Sequence, residues 1–150
     1  MFIGEFEHSL DEKGRVVLPF KYRSLLGDRF YITKGLHGCL WIFPAAEWNR
    51  FDESLKKQSY LNLDAIRLQR FFSASAFEVG TDSQNRLSIP APLREYAGIK
   101  GQAVIVGASN RVEVWSTERW QEVNADVEPE ALAASAMNLG LGGGARVAPE

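Results

Sequence analysis

The sequence predicts an α+β fold in which two β-hairpin-rich modules with short helices share one core. Three observations predict it. First, Asp11-Glu12-Lys13-Gly14-Arg15-Val16-Val17-Leu18-Pro19 returns as Asp82-Ser83-Gln84-Asn85-Arg86-Leu87-Ser88-Ile89-Pro90, at an offset of 71 residues. A period that long marks a duplicated folding unit. Second, an aromatic precedes each copy (Phe6, Phe77), and an arginine and a glycine follow at matching places (Arg23 and Gly27, Arg94 and Gly98). Third, the chain has 150 residues. Each copy then holds roughly 70 residues, which is marginal for an independent core. The halves are expected to share a core or to borrow one by oligomerising.

Each element follows from local chemistry. Glu5 to Leu10 reads as a first strand, and Phe77 to Thr81 as its counterpart. Asp11–Gly14 and Asp82–Asn85 read as turns, because Asp bonds its own backbone and Gly or Asn takes a positive φ most cheaply. Arg15–Leu18 and Arg86–Ile89 read as return strands that complete a hairpin within each copy. Val16 and Leu18 then share one face, as do Leu87 and Ile89, while the arginines start on the other. Pro19 to Leu26 before Gly27, and Pro90 to Ala97 before Gly98, carry helix punctuation, with the prolines at the first helical position. Phe30–Thr33, Cys39–Phe43, Ala103–Val106 and Val112–Trp115 supply further strands. Trp48, Phe51 and Leu55 have helical spacing, Asn62–Ser75 reads as a linking helix, and Ser116 or Thr117 caps a helix through Trp120 and Val123. Residues 126–137 read as weakly helical at most. Residues 138–150, with Gly142-Gly143-Gly144, read as flexible.

Charge and composition narrow the function. The net charge is −2, which argues against general adhesion to nucleic acid. Residues 1–120 nevertheless hold 16 bases against 14 acids, and residues 121–150 hold one base against five acids. A localised basic patch is permitted. No apolar stretch approaches the roughly 18 residues of a membrane span, and the first residues lack the pattern of a secretory signal. One cysteine, Cys39, excludes an internal disulfide and suits a reducing cytosol.

The repeated turn is where chemistry concentrates. An aspartate four residues before an arginine can accept turn amides and hold the guanidinium in one orientation. A fixed guanidinium presents a fork of donors that matches phosphate or the O6/N7 edge of guanine. Lys13 stands at the tip of the first loop and Gln84 at the equivalent place in the second. Such motifs are also common in hairpins of no special function; the duplication is what gives this one weight.

At this point the sequence resembles a known family. Asp-Glu-Lys-Gly-Arg-Val-Val-Leu-Pro near the start and Asp-x-x-x-Arg-x-x-Ile-Pro about 70 residues later look like the MraZ family of bacterial regulators. Arg70-Phe71-Phe72-Ser73-Ala74-Ser75-Ala76-Phe77-Glu78 and Val112-Glu113-Val114-Trp115 strengthen the likeness, which covers roughly residues 1–123. The resemblance implies two AbrB-like modules of swapped-hairpin type, packed as a pseudo-dimer with a barrel-like core, in a ring-shaped homo-oligomer. The modules would span 1–57 and 76–123, joined by a helical segment at 58–75 and followed by a tail at 124–150. The resemblance also implies a cytoplasmic, nucleoid-associated repressor that binds tandem short repeats of double-stranded DNA upstream of the division and cell-wall gene cluster. Lys13, Arg15 and Arg86 carry over as DNA-contacting residues, with Asp11, Gly14, Asp82 and Asn85 shaping the loops. Asn85 departs from the family's usual glycine; Asn tolerates the same backbone region.

Other functions find less support. His8, His37 and Cys39 form no cluster of the four ligands that structural zinc takes, so no metal is expected. Ser73, Ser75, Glu78 and Asp82 lack a nucleophile elbow or phosphate loop, so neither an enzyme, a cofactor nor a small-molecule substrate is expected. Arg23 and Arg94 either pair with acids such as Asp28 or Glu95 or flank DNA, and the structural role is preferred. The four Trp are assigned to the core or to subunit contacts. A rival to the DNA reading is a protein-binding or assembly module of antitoxin type, without base-specific readout.

Overall fold

Alternating burial drives the strands to exchange partners between the two copies. The structure, a computed structural model, describes residues 1–125 and 127–141. Eight strands form: β1 (Glu5–Ser9), β2 (Arg15–Val17), β3 (Phe30–Lys34), β4 (Leu40–Pro44), β5 (Phe77–Val79), β6 (Arg86–Ser88), β7 (Gln102–Gly107) and β8 (Val112–Ser116). Six of them make an antiparallel sheet in the order β1-β7-β8-β4-β3-β5, and β2 and β6 form a separate two-stranded ribbon.

The hairpins expected within each copy do not form as ladders, and the second keeps one isolated antiparallel bridge, Thr81 to Leu87. β1 pairs with β7 of the second copy, from Glu5 opposite Val106 to Ser9 opposite Gln102. β5 of the second copy pairs with β3 of the first. β2 pairs with β6, with Val16 opposite Leu87. The physical reason is burial. Each turn closes on itself, the Asp11 amide donating to the Arg15 carbonyl at 3.0 Å and the Asp82 amide to the Arg86 carbonyl at 2.9 Å. The three-residue return strands are too short to bury their apolar face alone. Crossing them puts Val16, Leu18, Leu87 and Ile89 into one core with Phe30, Ile32, Leu40, Ile42, Ile105, Val112 and Val114. Each copy thus completes the other, as expected of modules too small to stand alone.

The barrel-like core is corrected. Closure requires the edge strands β1 and β5 to pair, but β5 has three residues and pairs only with β3. The sheet stays open, and the ribbon's inner side chains share its core.

The helices follow their punctuation closely. They are α1 (Phe20–Leu26), α2 (Ala45–Lys56), α3 (Leu63–Ala74), α4 (Ala91–Ala97), α5 (Thr117–Ala125) and α6 (Pro129–Asn138). Pro19 and Pro90, expected at the first helical position, occupy the cap, and the helices start one residue later at Phe20 and Ala91. Asn62 caps α3 through its side chain, accepting from the Ala65 amide at 3.0 Å. Trp41 stacks on Phe72 at 5.3 Å and Phe43 on Phe51 at 5.3 Å, so an aromatic cluster ties α2 and α3 to β4. Trp115 is buried, while Trp41 and Trp48 are half-buried.

Two compact units can be distinguished, Met1–Thr117 and the residues from Glu118 onward. The first contains both sheets. In the second, α6 is a regular ten-residue helix where the sequence predicts weak helicity at most. Its Ala-rich composition favours helix strongly enough to offset the lack of large apolar side chains. The glycine-rich segment expected to be flexible lies, from residue 142 on, outside the described residues.

Candidate nucleic-acid interface

Both repeated loops fold into the same hydrogen-bonded unit. In the first, Asp11 Oδ1 accepts from the Lys13 amide at 2.9 Å and from the Arg15 amide at 2.9 Å, while Oδ2 accepts from Arg15 Nε at 2.6 Å. In the second, Asp82 Oδ1 accepts from the Gln84 and Arg86 amides at 2.9 Å each, and Oδ2 accepts from Arg86 Nε at 2.9 Å. One carboxylate therefore sets both the turn and the arginine. The Arg15 amide, with the Arg15 side chain and the Lys13 amide, holds the Asp11 carboxyl below its ordinary pKa against partial desolvation. The Arg86 amide does the same at Asp82, with the Gln84 amide and the Arg86 side chain. Bonds to the charged form are the cause in both loops.

Strand exchange brings the loops together. In the ribbon, Arg15 stands opposite Ser88, and Val17 opposite Arg86. Val16 and Leu87 face inward. The two arginines therefore take diagonal positions on the outer face, beside exposed Val17 and Ser88. Each aspartate binds its arginine through Nε, so the Nη1/Nη2 end of the fork carries further donors. Arg86 Nη1 also lies 3.8 Å from Asp11 Oδ2. Lys13, Gln84, Glu12 and Ser83 are exposed at the tips.

Behind the loops, backbone bonds lock each turn to the other copy. The Leu18 amide donates to the Asn85 carbonyl at 3.2 Å, and the Ile89 amide to the Gly14 carbonyl at 3.0 Å. Gly14 takes φ 76° and Asn85 φ 64°, so both turns need the left-handed region. Gly14 carries a second constraint: a Cβ there would lie 2.4 Å from Arg94 Nε. The turn at Asn85 forms as expected.

Arg23 and Arg94 have structural bonds, but not to the acids expected. Arg23 Nε donates to the Leu18 carbonyl and Arg94 Nε to the Ile89 carbonyl, each at 3.0 Å. Arg23 Nη1 also donates to Asn85 Oδ1 at 3.1 Å. Sequence reasoning missed this contact and the reach of Arg86 to Asp11. Partners 62 residues apart leave no local signal, and the matching arginines after each proline were the only trace. Burial pushes the Cys39 thiol up to about 12, and no group of three or more His, Cys, Asp or Glu among the described residues is arranged to hold a metal ion.

The same duplication appears in comparison with known proteins. The family model described as "MraZ protein, putative antitoxin-like" matches residues 1–71 and again residues 72–139. A protein named Transcriptional regulator MraZ from Clostridium acetobutylicum is 44% identical over 142 residues, covering 94% of this chain and 100% of its own length. Its namesake from Heliobacterium modesticaldum is 46% identical over 129 residues, covering 86% and 90%. That from Desulforamulus reducens is 44% identical over 141 residues, covering 93% and 99%. The family match runs past residue 123, where the sequence motifs stop, to include α6. With both copies matched and its relatives aligned over nearly their full length, this chain belongs to the MraZ family.

Proposed function

We propose that this chain is a sequence-specific DNA-binding transcriptional regulator. Lys13, Arg15 and Arg86 contact the duplex, Asp11 and Asp82 orient the arginines, and Gly14 and Asn85 permit the turns. The observation that carries the reading is the outer face of the β2–β6 ribbon, where two aspartate-held guanidinium groups stand together. β-Ribbons enter the major groove, and an arginine fork matches guanine O6/N7 or phosphate. The relatives' name, Transcriptional regulator MraZ, supports the same reading.

Magnitudes favour an assembly. A good bidentate contact discriminates by about 1–3 kcal/mol, whereas specific sites usually stand about 4–10 kcal/mol above non-specific DNA. Two contacts from a chain of net charge −2 reach the lower part of that range at best. A ring-shaped homo-oligomer of AbrB-like modules raises the effective concentration of each further loop and suits tandem short repeats. The proposed setting is the nucleoid in the cytoplasm. The proposed effect is repression of the chain's own promoter and of the division and cell-wall gene cluster.

The test is Arg15→Ala, with binding to the DNA upstream of the chain's own coding region measured across salt concentrations. A loss of about tenfold or more and a shallower salt slope are expected. Unchanged affinity with an unchanged slope overturns the reading. The family description as antitoxin-like favours a second reading, a protein-binding module. Retention of a random duplex and the upstream duplex with equal, negligible affinity selects it.

A further inference from the structure

The two loops are alike in their aspartate and arginine but unlike at the left-handed residue. In the first loop that residue is Gly14, and the Arg94 side chain occupies the space above its Cα. In the second it is Asn85, whose side chain extends to Arg23 Nη1 at 3.1 Å. Arg23 is itself fixed, because its Nε donates to the Leu18 carbonyl. The Leu18 amide in turn donates to the Asn85 carbonyl. Asn85 is thus gripped by both its backbone and its side chain, from the opposite copy.

This grip decides the chemistry that Asn85 presents. Guanidinium is a donor only, so the atom facing it is the amide oxygen, whichever way a side-chain amide is first drawn. With Oδ1 engaged by Arg23, the Nδ2 group is turned away from Arg23. Asn85 is exposed and immediately precedes Arg86. A free asparagine reads adenine by using both amide atoms at once, N6–H to oxygen and N7 to nitrogen. Arg23 occupies one of the two lone pairs of that oxygen and fixes the direction in which the amide is held. The Nδ2 group supplies two further N–H donors.

We propose that Asn85 is a specificity-determining residue of the second loop, with Arg23 as its positioning residue. Held by Arg23, the Asn85 amide donates to a DNA acceptor beside the one taken by Arg86. The acceptor is a phosphate oxygen, a purine N7, guanine O6 or thymine O4. The first loop has no such group, so the two loops read neighbouring DNA unequally. The inference rests on the DNA-binding reading above.

The experiment uses the full chain and its own upstream duplex, with every base pair substituted in turn. Asn85→Gly keeps the left-handed turn and matches Gly14, so the fold is retained, as checked by thermal melting. It is expected to weaken binding about 3- to 10-fold, the value of one hydrogen bond. A change confined to one or two base positions identifies a base acceptor; a uniform loss with a salt slope shallower by about one identifies phosphate. Arg23→Ala frees the Asn85 amide to rotate and is expected to flatten the base preference at the same position, which loss of packing alone does not do. An unchanged affinity and base profile for Asn85→Gly overturns the inference. Arg15→Ala and Arg86→Ala run in parallel. If they lose binding while Asn85→Gly does not, only this inference fails. If none of the variants differs from the parent chain, both readings fail.

Discussion

Arg86, from the second copy, lies 3.8 Å through Nη1 from the Asp11 carboxylate of the first. Asp11 is already bonded to Arg15 at 2.6 Å. Among the described residues no reciprocal ion pair joins Arg15 to Asp82, which bonds Arg86 at 2.9 Å. Pseudo-symmetry is therefore broken at the centre of the ribbon, and one aspartate serves two arginines.

Unequal load predicts unequal mutants. Asp11→Ala removes the partner of Arg15 and a neighbour of Arg86, whereas Asp82→Ala frees Arg86 alone. Both are expected to weaken DNA binding, Asp11→Ala by roughly threefold more, the scale of one exposed ion pair. Titration of the upstream duplex with each variant checks the order; the reverse order contradicts the shared-carboxylate geometry.

Gly14 and Asn85 respond differently to side chains. Gly14→Ala puts a Cβ where Arg94 lies and where φ is 76°. A left-handed non-glycine residue costs about 1–2 kcal/mol before any clash. Denaturant unfolding is expected to show a loss of at least that size. Asn85→Gly, with no such crowding, is expected to change stability by less than about 1 kcal/mol.

The strand exchange predicts that neither half folds alone. β1 needs β7, β2 needs β6 and β5 needs β3. Fragments 1–75 and 76–141 are expected to show little strand signal by circular dichroism separately and to regain it when mixed. A folded 1–75 fragment contradicts the exchange.

The loops carry a pH signature. Asp11 and Asp82 have pKa values lowered in the fold, first by the Arg15 and Arg86 amides. A lowered carboxyl contributes stability that is full above the unfolded value, about 3.9, and is lost as pH falls through the folded value. Loop order is therefore expected to be constant from neutral pH down to about pH 5 and to fall below the ordinary carboxylate range. Carboxyl resonances followed by NMR check this, and Asp11→Asn removes the first loop's share.

The sequence by itself determined most of what lies within a few residues of its cause, with α6 the exception. The aspartate-to-amide and aspartate-to-arginine bonds span two to four residues. The repeat, the turns at Gly14 and Asn85 and the ends of α1 and α4 are equally local, because they depend on backbone preference and short side-chain reach. Only the tertiary structure decided which strand pairs with which. Every strand offers the same N–H and C=O groups, so alternation at Val16 and Leu18 announces a buried face without naming its partner. The choice fell to burial summed over both copies, and this placed Arg86 beside Asp11 and Arg23 against Asn85. The open sheet follows from the same sum, since the short β5 has a partner in β3 and none in β1.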